Sequence, residues 1–389
     1  MGGSVCMFIL RELASCPPAW NHAESLAGRG LRVMVLQPRA RGKDGPLTPK
    51  GVETVGISLI GRRLPSTRGL VLKYAEYLLR AIRKGEASRP EVCVGHDLDG
   101  LLPAARVAKA AGARLVYHAH ELWTERSRVP GLALWRRLEP RLLAQCDLVI
   151  VPSPERARYY QTRYGVKAGP LVVRNCPRLR APVSPGPDLA AELERQGVRP
   201  ETRIVLYQGG LGDERCTAEV VEAARLLPGE LITVLVGPVA RRFGAKLERL
   251  LREGAGRVVY LPRRSPEALW PLTCRAQVGL ALYRPTSLNN RLCAPNKVFE
   301  YLMAGLSVVA SAGESMESLL VRRGLGVTAD PEDPRAIAEA IGAACALRRE
   351  PGFAERAKEA VATEFNWAAQ SGALLRAYDE LLRDCAAGD

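Results

Sequence analysis

Three of the four histidines in this 389-residue chain fall between positions 96 and 120. His96 and Asp97 directly follow the apolar run Val92–Gly95. His118, Ala119, His120 and Glu121 come at the end of the run Arg114–His118. Imidazole has an ordinary pKa closer to neutral than any other side chain, so it suits general acid, general base or hydrogen-bonding work on a substrate. If both runs are strands of an open parallel sheet, their carboxyl ends mark where ligands bind. His96, His120 and Glu121 are therefore the candidate catalytic residues. The competing role is structural: Asp97 is placed to cap a helix over Leu98–Ala111, and a lone histidine often only satisfies a buried group. Clustering at two strand ends favours chemistry.

A second set lies beyond residue 200. Tyr207-Gln208-Gly209-Gly210-Leu211-Gly212-Asp213-Glu214-Arg215 joins an apolar run to a helix-like segment. Glycines at such a turn let backbone N–H groups approach phosphate oxygens, and the helix N-terminus favours an anion. Arg215 adds a guanidinium able to clamp a diphosphate through two parallel hydrogen bonds. The stretch is not Gly-x-Gly-x-x-Gly, and Asp213 and Glu214 bring negative charge. Taken by itself it reads better as a surface loop with Arg215 paired to one of those acids. Asn289–Ser311 is more informative. Pro295 suits the first turn of a helix, Gly305 ends it, and a buried strand-like run follows. Lys297 and Glu300 are three residues apart and share a helix face. Lys297 can meet phosphate, and Glu300 can accept hydrogen bonds from two vicinal ribose hydroxyls. Spacing alone also allows an exposed Lys–Glu pair worth about a few tenths of a kcal/mol.

Elements must hold these groups in place. The first half alternates strand-like runs (Val5–Leu10, Leu31–Gln37, Val52–Leu59, Val92–Gly95, Arg114–His118, Leu148–Pro152) with helix-like stretches (Trp20–Gly28, Arg68–Lys84, Leu98–Ala111, Ala133–Cys146). That alternation predicts a parallel sheet with helices on both faces. Prolines 177, 182, 185, 187 and 200 then punctuate a stretch without a long apolar run, which reads as a linker. The alternation restarts at Arg203–Gln208 and continues through Leu231–Gly237, Val258–Leu261, Val278–Leu282 and Ser307–Ser311. The sequence predicts an N-terminal α/β domain over 1–182, a Pro-rich linker over 183–202, a C-terminal α/β domain over 203–365 and a terminal helix over 366–389.

Composition narrows the function classes. The length suits two cores, and 47% hydrophobic with 25% charged residues is ordinary globular composition. Aromatics at 5% leave few stacking platforms for single-stranded nucleic acid. A net charge of +15 favours anionic partners, but charge alone does not make a nucleic-acid partner, and none is expected. The ten cysteines include no Cys-x-x-Cys pair, so zinc-ribbon and thioredoxin-type readings are weak. The scattered thiols and the missing signal peptide point to the cytoplasm. No apolar run reaches the ~18 residues of a membrane-spanning helix.

The segment Pro295-Asn296-Lys297-Val298-Phe299-Glu300-Tyr301-Leu302-Met303-Ala304-Gly305 closely resembles the donor-site motif of family 4 glycosyltransferases. The likeness extends over most of the chain. Tyr207–Arg215 resembles the family's loop at the start of its second domain. Gly95-His96-Asp97-Leu98-Asp99 and Val116-Tyr117-His118-Ala119-His120-Glu121-Leu122 resemble its first-domain motifs, and Val173-Arg174-Asn175 its lead-in to the linker. The resemblance implies the GT-B fold: two Rossmann-like parallel-sheet domains facing each other across a cleft, with the last helix crossing back to the first domain. It implies that Glu300 holds the ribose and that Arg215 and Lys297 hold the diphosphate. Gly209, Gly210 and Asn296 complete the nucleotide site, and His96 or His120 meets the sugar and reaction centre. It implies transfer, with retention, from a UDP- or GDP-sugar to a glycan or lipid-linked acceptor. No cofactor and no metal is implied, because cationic side chains and a helix N-terminus stabilise the departing diphosphate.

The chain departs from the pattern at four places. Leu292 stands where many members carry glutamate, with Asn289 and Asn290 as the nearest polar substitutes. His118 stands where relatives often have aspartate, and Cys216 where a glycine usually follows the arginine. Arg11–Ser15 replaces a glycine-rich turn after the first strand. Two other readings therefore stay open: a catalytically degenerate nucleotide-sugar-binding subunit of a polysaccharide-assembly complex, and a sugar-nucleotide epimerase of the same fold. Arg126–Leu143 mixes five arginines with leucines and Trp135. It reads either as a basic amphipathic helix for an anionic leaflet, placing the enzyme peripherally on the inner face of the membrane, or as an ordinary packed helix.

Overall fold

The central strands are short apolar runs buried along nearly their whole length, as expected where helices cover both faces of a parallel sheet. All five residues of β1 (Ser4–Phe8) are buried. The computed structural model describes residues 3–39, 47–59, 67–166, 169–254 and 256–386. They divide into two units, Met1–Asn175 with Trp367–Asp389, and Cys176–Asn366.

In the first unit β1 is followed by α1 (Pro17–Gly28), β2 (Arg32–Pro38), β3 (Val52–Ile57), α2 (Thr67–Ser88), β4 (Val92–His96), α3 (Asp97–Ala111), β5 (Arg114–His118), α4 (Leu132–Leu143), β6 (Leu148–Val151), α5 (Pro154–Tyr164) and β7 (Leu171–Val172). The seven strands lie in the order β3-β2-β1-β4-β5-β6-β7, all parallel. The order reverses between β1 and β4, and α3 packs tightly there. A Cβ on Gly100 would lie 2.3 Å from the Phe8 carbonyl oxygen, so only glycine fits.

The second unit holds α6 (Pro187–Arg195), β8 (Arg203–Gln208), α7 (Thr217–Leu226), β9 (Leu231–Val236), α8 (Gly244–Glu253), β10 (Val258–Leu261), α9 (Pro266–Arg275), β11 (Val278–Ala281), α10 (Leu288–Arg291), α11 (Asn296–Met303), β12 (Ser307–Ser311), α12 (Glu314–Leu319), β13 (Gly326–Ala329), α13 (Pro334–Leu347) and α14 (Phe353–Thr363). Its six parallel strands run β10-β9-β8-β11-β12-β13, reversing between β8 and β11. Three helix starts share one device. Ser153, Ser265 and Asp333 each accept a backbone N–H with their side chain, and proline follows in the first turn.

Residues 176–202 differ from the sequence expectation of a domain tail and linker. They belong to the second unit, with Cys176, Leu189, Leu193 and Val198 buried in its core. One of the prolines, Pro187, is a helix-starting residue and opens α6. The last helix, α15 (Trp367–Ala386), packs within the first unit. Trp367, Leu374 and Tyr378 are buried beside Val5, Val116 and Ile150. Trp367 Nε1 donates to Ser25 Oγ at 2.8 Å, and the Arg174 N–H donates to Gln370 Oε1 at 2.8 Å. No helix of the described residues is long and apolar enough to cross a membrane.

Candidate functional site

The first unit gathers its histidines at the carboxyl end of its sheet. His96 ends β4, His118 ends β5, and the two are register partners. His96 Nδ1 and His120 Nε2 are 3.0 Å apart, with the two ring planes 3° from parallel. His22, on α1, joins them: its Nδ1 lies 3.0 Å from His118 Nδ1, and its Nε2 lies 2.9 Å from the Tyr378 hydroxyl of α15. His22, His96 and His118 are buried, and His120 is the least covered of the four. Burial pushes all four imidazoles below their ordinary range, His118 to about 3, because a charged ring would lose its hydration. The neighbouring rings push His22, His96 and His120 further down.

Asp97 braces this cluster. It sits at φ +56°, a left-handed conformation that aspartate tolerates better than most residues. Its carboxylate does not cap α3. One oxygen accepts from Arg11 Nη2 at 2.8 Å, and the other accepts the His120 backbone N–H at 3.0 Å. Arg156 of α5 donates to the His120 carbonyl oxygen. The loop carrying His120 is therefore held from both sides. Burial raises the Asp97 carboxyl and lifts Asp99 to about 7. Glu121 stands apart from the imidazoles. It is partly exposed and pairs with Arg126 at 2.9 Å.

The second unit gathers cations at the matching place. β8 ends at Gln208, and the chain turns at Gly209 with φ +121°. The turn packs against Gly237, where a Cβ would lie 1.9 Å from the Gly209 carbonyl oxygen. Arg215 lies with its guanidinium 4.1 Å from the Tyr283 ring centroid, just beyond β11. Lys297, in the first turn of α11, places Nζ 4.2 Å from the Tyr207 ring and 5.4 Å from that of Tyr283. Among the described residues no carboxylate comes within salt-bridge distance of Lys297. Desolvation, then repulsion from Arg215, lowers Lys297 to about 7. Two cations drawn together over two aromatic faces make a site poised for an anion.

Glu300 lies one turn further along α11. It accepts from Gln208 Nε2, whose Oε1 in turn accepts from Thr273 Oγ1 at 3.0 Å. With Arg180, Arg264 and Trp270 these residues line a cavity of about 110 Å³. Burial raises the Glu300 carboxyl, against the opposing pull of Arg180 and Lys297. Asn296 opens α11, and Gly209 and Gly210 form the turn. Asn290 is committed elsewhere, donating to Glu214 and to the Arg284 carbonyl oxygen, both at 2.9 Å.

The structure thus brings His96 with His120 in one unit and Arg215 with Lys297 in the other, and leaves Glu121 outside both sets. Sequence reasoning missed His22, Tyr378, Tyr207, Tyr283 and Gln208 as parts of these sites. His22 and Tyr378 are 356 residues apart.

No curated protein matches the chain significantly. Among solved structures it resembles a sucrose-phosphate synthase from Thermosynechococcus elongatus, with 19% identity and a TM-score of 0.79 over 98% of this chain and 100% of that one. It also resembles Anabaena HepE in complex with UDP and glucose, with 14% identity and a TM-score of 0.74 over 97% and 100%. A third is an E. coli structure described as trehalose-6-phosphate bound with UDP-2-fluoro glucose, with 13% identity and a TM-score of 0.68 over 97% and 99%. At these identities the likeness is one of fold. Family models carry the rest: the glycosyl transferase 4-like domain matches residues 19–176, and a glycosyl transferase-like domain matches 216–376. With both parallel-sheet units matched in this way, the chain belongs to the family 4, group 1-type glycosyltransferases of the GT-B fold.

Proposed function

We propose that the protein transfers a sugar from a nucleoside-diphosphate sugar, a UDP- or GDP-sugar, to a glycan or lipid-linked acceptor with retention of configuration. The observation that carries this reading is the cation pair. Lys297 and Arg215 crowd over the same tyrosine ring, and no carboxylate forms a salt bridge with Lys297 among the described residues. Such a pair supports binding of a diphosphate, whose developing charge in the transition state it would stabilise. Structural neighbours described as holding UDP, UDP-glucose or UDP-2-fluoro glucose agree with that choice. In the reaction the anomeric C–O bond to the β-phosphate breaks as a new C–O bond to the acceptor oxygen forms on the same face. The acceptor proton passes to the departing diphosphate. Glu300 takes the ribose hydroxyls. His120, the less buried of the two imidazoles, takes the sugar, and His96 positions it. No metal enters this scheme.

A peripheral membrane location fits a lipid-linked acceptor. Leu134 on α4 is 60% exposed beside exposed Arg136 and Arg137, while Val71 and Leu79 on neighbouring α2 are 67% and 70% exposed. Leu142 and Leu143 of α4 pack inward, so only part of this helix is free for a leaflet.

A thermal-shift screen over nucleoside diphosphates and their sugars tests the donor. At a hundredfold excess over Kd the matching donor stabilises the fold by about 2.7 kcal/mol. Turnover that disappears in Glu300→Ala and His120→Ala supports transfer. Tight donor binding without turnover across a broad acceptor panel would instead identify a binding subunit, a reading favoured by Leu292 and Cys216. Interconversion of the free nucleotide sugar would identify an epimerase.

A further inference from the structure

Three imidazoles of the first unit are arranged as ligands of one ion. The ring centroids of His22, His96 and His118 form a triangle with sides of 5.1, 5.2 and 5.4 Å. One nitrogen from each ring lies within 4.8 Å of the other two. Imidazoles bound to a tetrahedral ion at about 2.0–2.1 Å place their ring centroids about 5 Å apart. His22 Nδ1 and His118 Nδ1 are already 3.0 Å apart, near the ~3.3 Å edge that those bond lengths set.

The hydrogen bonds around the triangle point the same way. A neutral imidazole carries one N–H and one lone pair. His22 can donate Nε2–H to the Tyr378 hydroxyl, which leaves Nδ1 as a lone pair. His96 can donate Nδ1–H to His120 Nε2, which leaves Nε2 as a lone pair. His96 Nε2 is buried and has no hydrogen-bond partner; His118 faces His22 with Nδ1, so its Nε2 carries the N–H and is buried without an acceptor. All three rings are at most 1% exposed, so bulk water does not satisfy those nitrogens. Ligand histidines characteristically donate their second ring N–H to a fixed acceptor, and Tyr378 and His120 are such acceptors here. The nearby Asp97 carboxylate is already engaged by Arg11 and the His120 N–H, so the donor set is nitrogen alone.

We propose that His22, His96 and His118 form a buried three-histidine site for a divalent transition ion, with zinc the expected occupant. Neutral imidazoles suit zinc, cobalt, nickel and copper rather than magnesium or calcium. The three rings leave the fourth tetrahedral position to a water molecule, and the ion's part is to hold elements together. It would tie α1 to the ends of β4 and β5, lock the Tyr378 contact of α15, and fix the His96 ring against His120. It is separate from the cation pair of the second unit and does not depend on the glycosyl-transfer reading.

The test uses the full chain without a histidine tag, stripped by chelator and titrated with Zn²⁺ and, in parallel, Co²⁺. The expected result is one equivalent bound, a tetrahedral Co²⁺ visible spectrum, and a rise in Tm with Zn²⁺. His22→Gln and His118→Gln should each lose that equivalent. Tyr378→Phe should keep the stoichiometry and weaken affinity about tenfold, and Lys297→Gln should bind as the parent does. Wild-type chain that takes up no ion at micromolar concentrations overturns the site, whether or not the variants fold. So does an octahedral Co²⁺ spectrum, or uptake that persists in both His22→Gln and His118→Gln.

Discussion

Both units reverse their strand order beside their first strand, at β1/β4 and at β8/β11, and both collect polar side chains at that point. The first unit collects imidazoles, which burial keeps neutral, with lone pairs and N–H groups directed at one another. The second collects an ammonium and a guanidinium over tyrosine rings. The same topology therefore specifies where a site forms and leaves its chemistry to the residues. Burial acts in the same sense on both, against the charged form: it leaves the histidines neutral and brings Lys297 down to about 7, so that an arriving anion restores the lysine's proton.

The largest expected effect tests whether the cation pair serves the transition state. Arg215→Ala should lower kcat for donor turnover by about 10²–10³, the usual cost of removing one donor from a site of developing negative charge. Steady-state kinetics decide it. A raised KM with unchanged kcat would mean that Arg215 grips substrate and transition state alike, and the contrast with the first unit would become one of binding only.

Lys297 gives a pH signature of the second unit. With its free pKa at about 7, donor binding takes up a proton as pH rises above that value. UDP affinity should be flat below pH 7 and fall by up to tenfold per pH unit above it, until the pKa of the complex is reached. Stability of the ligand-free chain runs the other way. The unfolded lysine binds the proton up to about 10.4, so this group makes the native state more stable as pH rises from about 7. Calorimetry with UDP and urea melts across that range measure both slopes. Lys297→Gln should abolish both and weaken UDP about tenfold or more, and Lys297→Arg should hold affinity flat.

The alternation of apolar runs made two parallel-sheet domains legible, since strands such as Val92–His96 are buried throughout and carry no competing period. Strand β7 escaped because two residues hold no pattern, and β13 because Gly-Val-Thr-Ala is only half-buried and not a continuous apolar run. The Pro-rich stretch holds a helix, α6, and buried leucines that its prolines do not announce, because proline marks helix starts as well as loops. At the sites, local motifs delivered His96, His120, Arg215, Lys297 and Glu300. What they could not deliver were partners brought by topology: His22 meets Tyr378 across 356 positions, and Tyr207 at the end of β8 meets Lys297 of α11. Glu121 was legible as a neighbour of His120, but the chain turns it towards Arg126.

A smaller effect probes the first unit. Tyr378→Phe deletes the hydroxyl that meets His22 Nε2 at 2.9 Å and leaves a buried ring nitrogen unpaired. In the metal-free chain it should cost about 1–3 kcal/mol in urea unfolding. No change would mean that His22 is held by packing alone, and the first unit's polar network would lose its anchor on α15.

The smallest expected effect compares strain at the two sites. Each has one non-glycine residue in the left-handed region, Asp97 at φ +56° and Cys216 at φ +52°. Asp97 has compensation, because the conformation aims its carboxylate at Arg11 and the His120 N–H. Cys216 is buried in the core of the second unit beside Tyr207 and Val220, and its pairing-competent group is only a thiol. Removing that thiol costs buried contacts in Cys216→Ala and Cys216→Gly alike, but only glycine also relieves the backbone. The glycine variant should therefore be more stable than the alanine variant by about 1 kcal/mol, the lower end of the left-handed penalty, less any entropy glycine adds to the unfolded chain. Urea melts of the two variants measure that difference directly. Equal stability would mean that the turn between Arg215 and α7 relaxes at no cost, and that the strain at Cys216, unlike that at Asp97, has no hold on the position of Arg215.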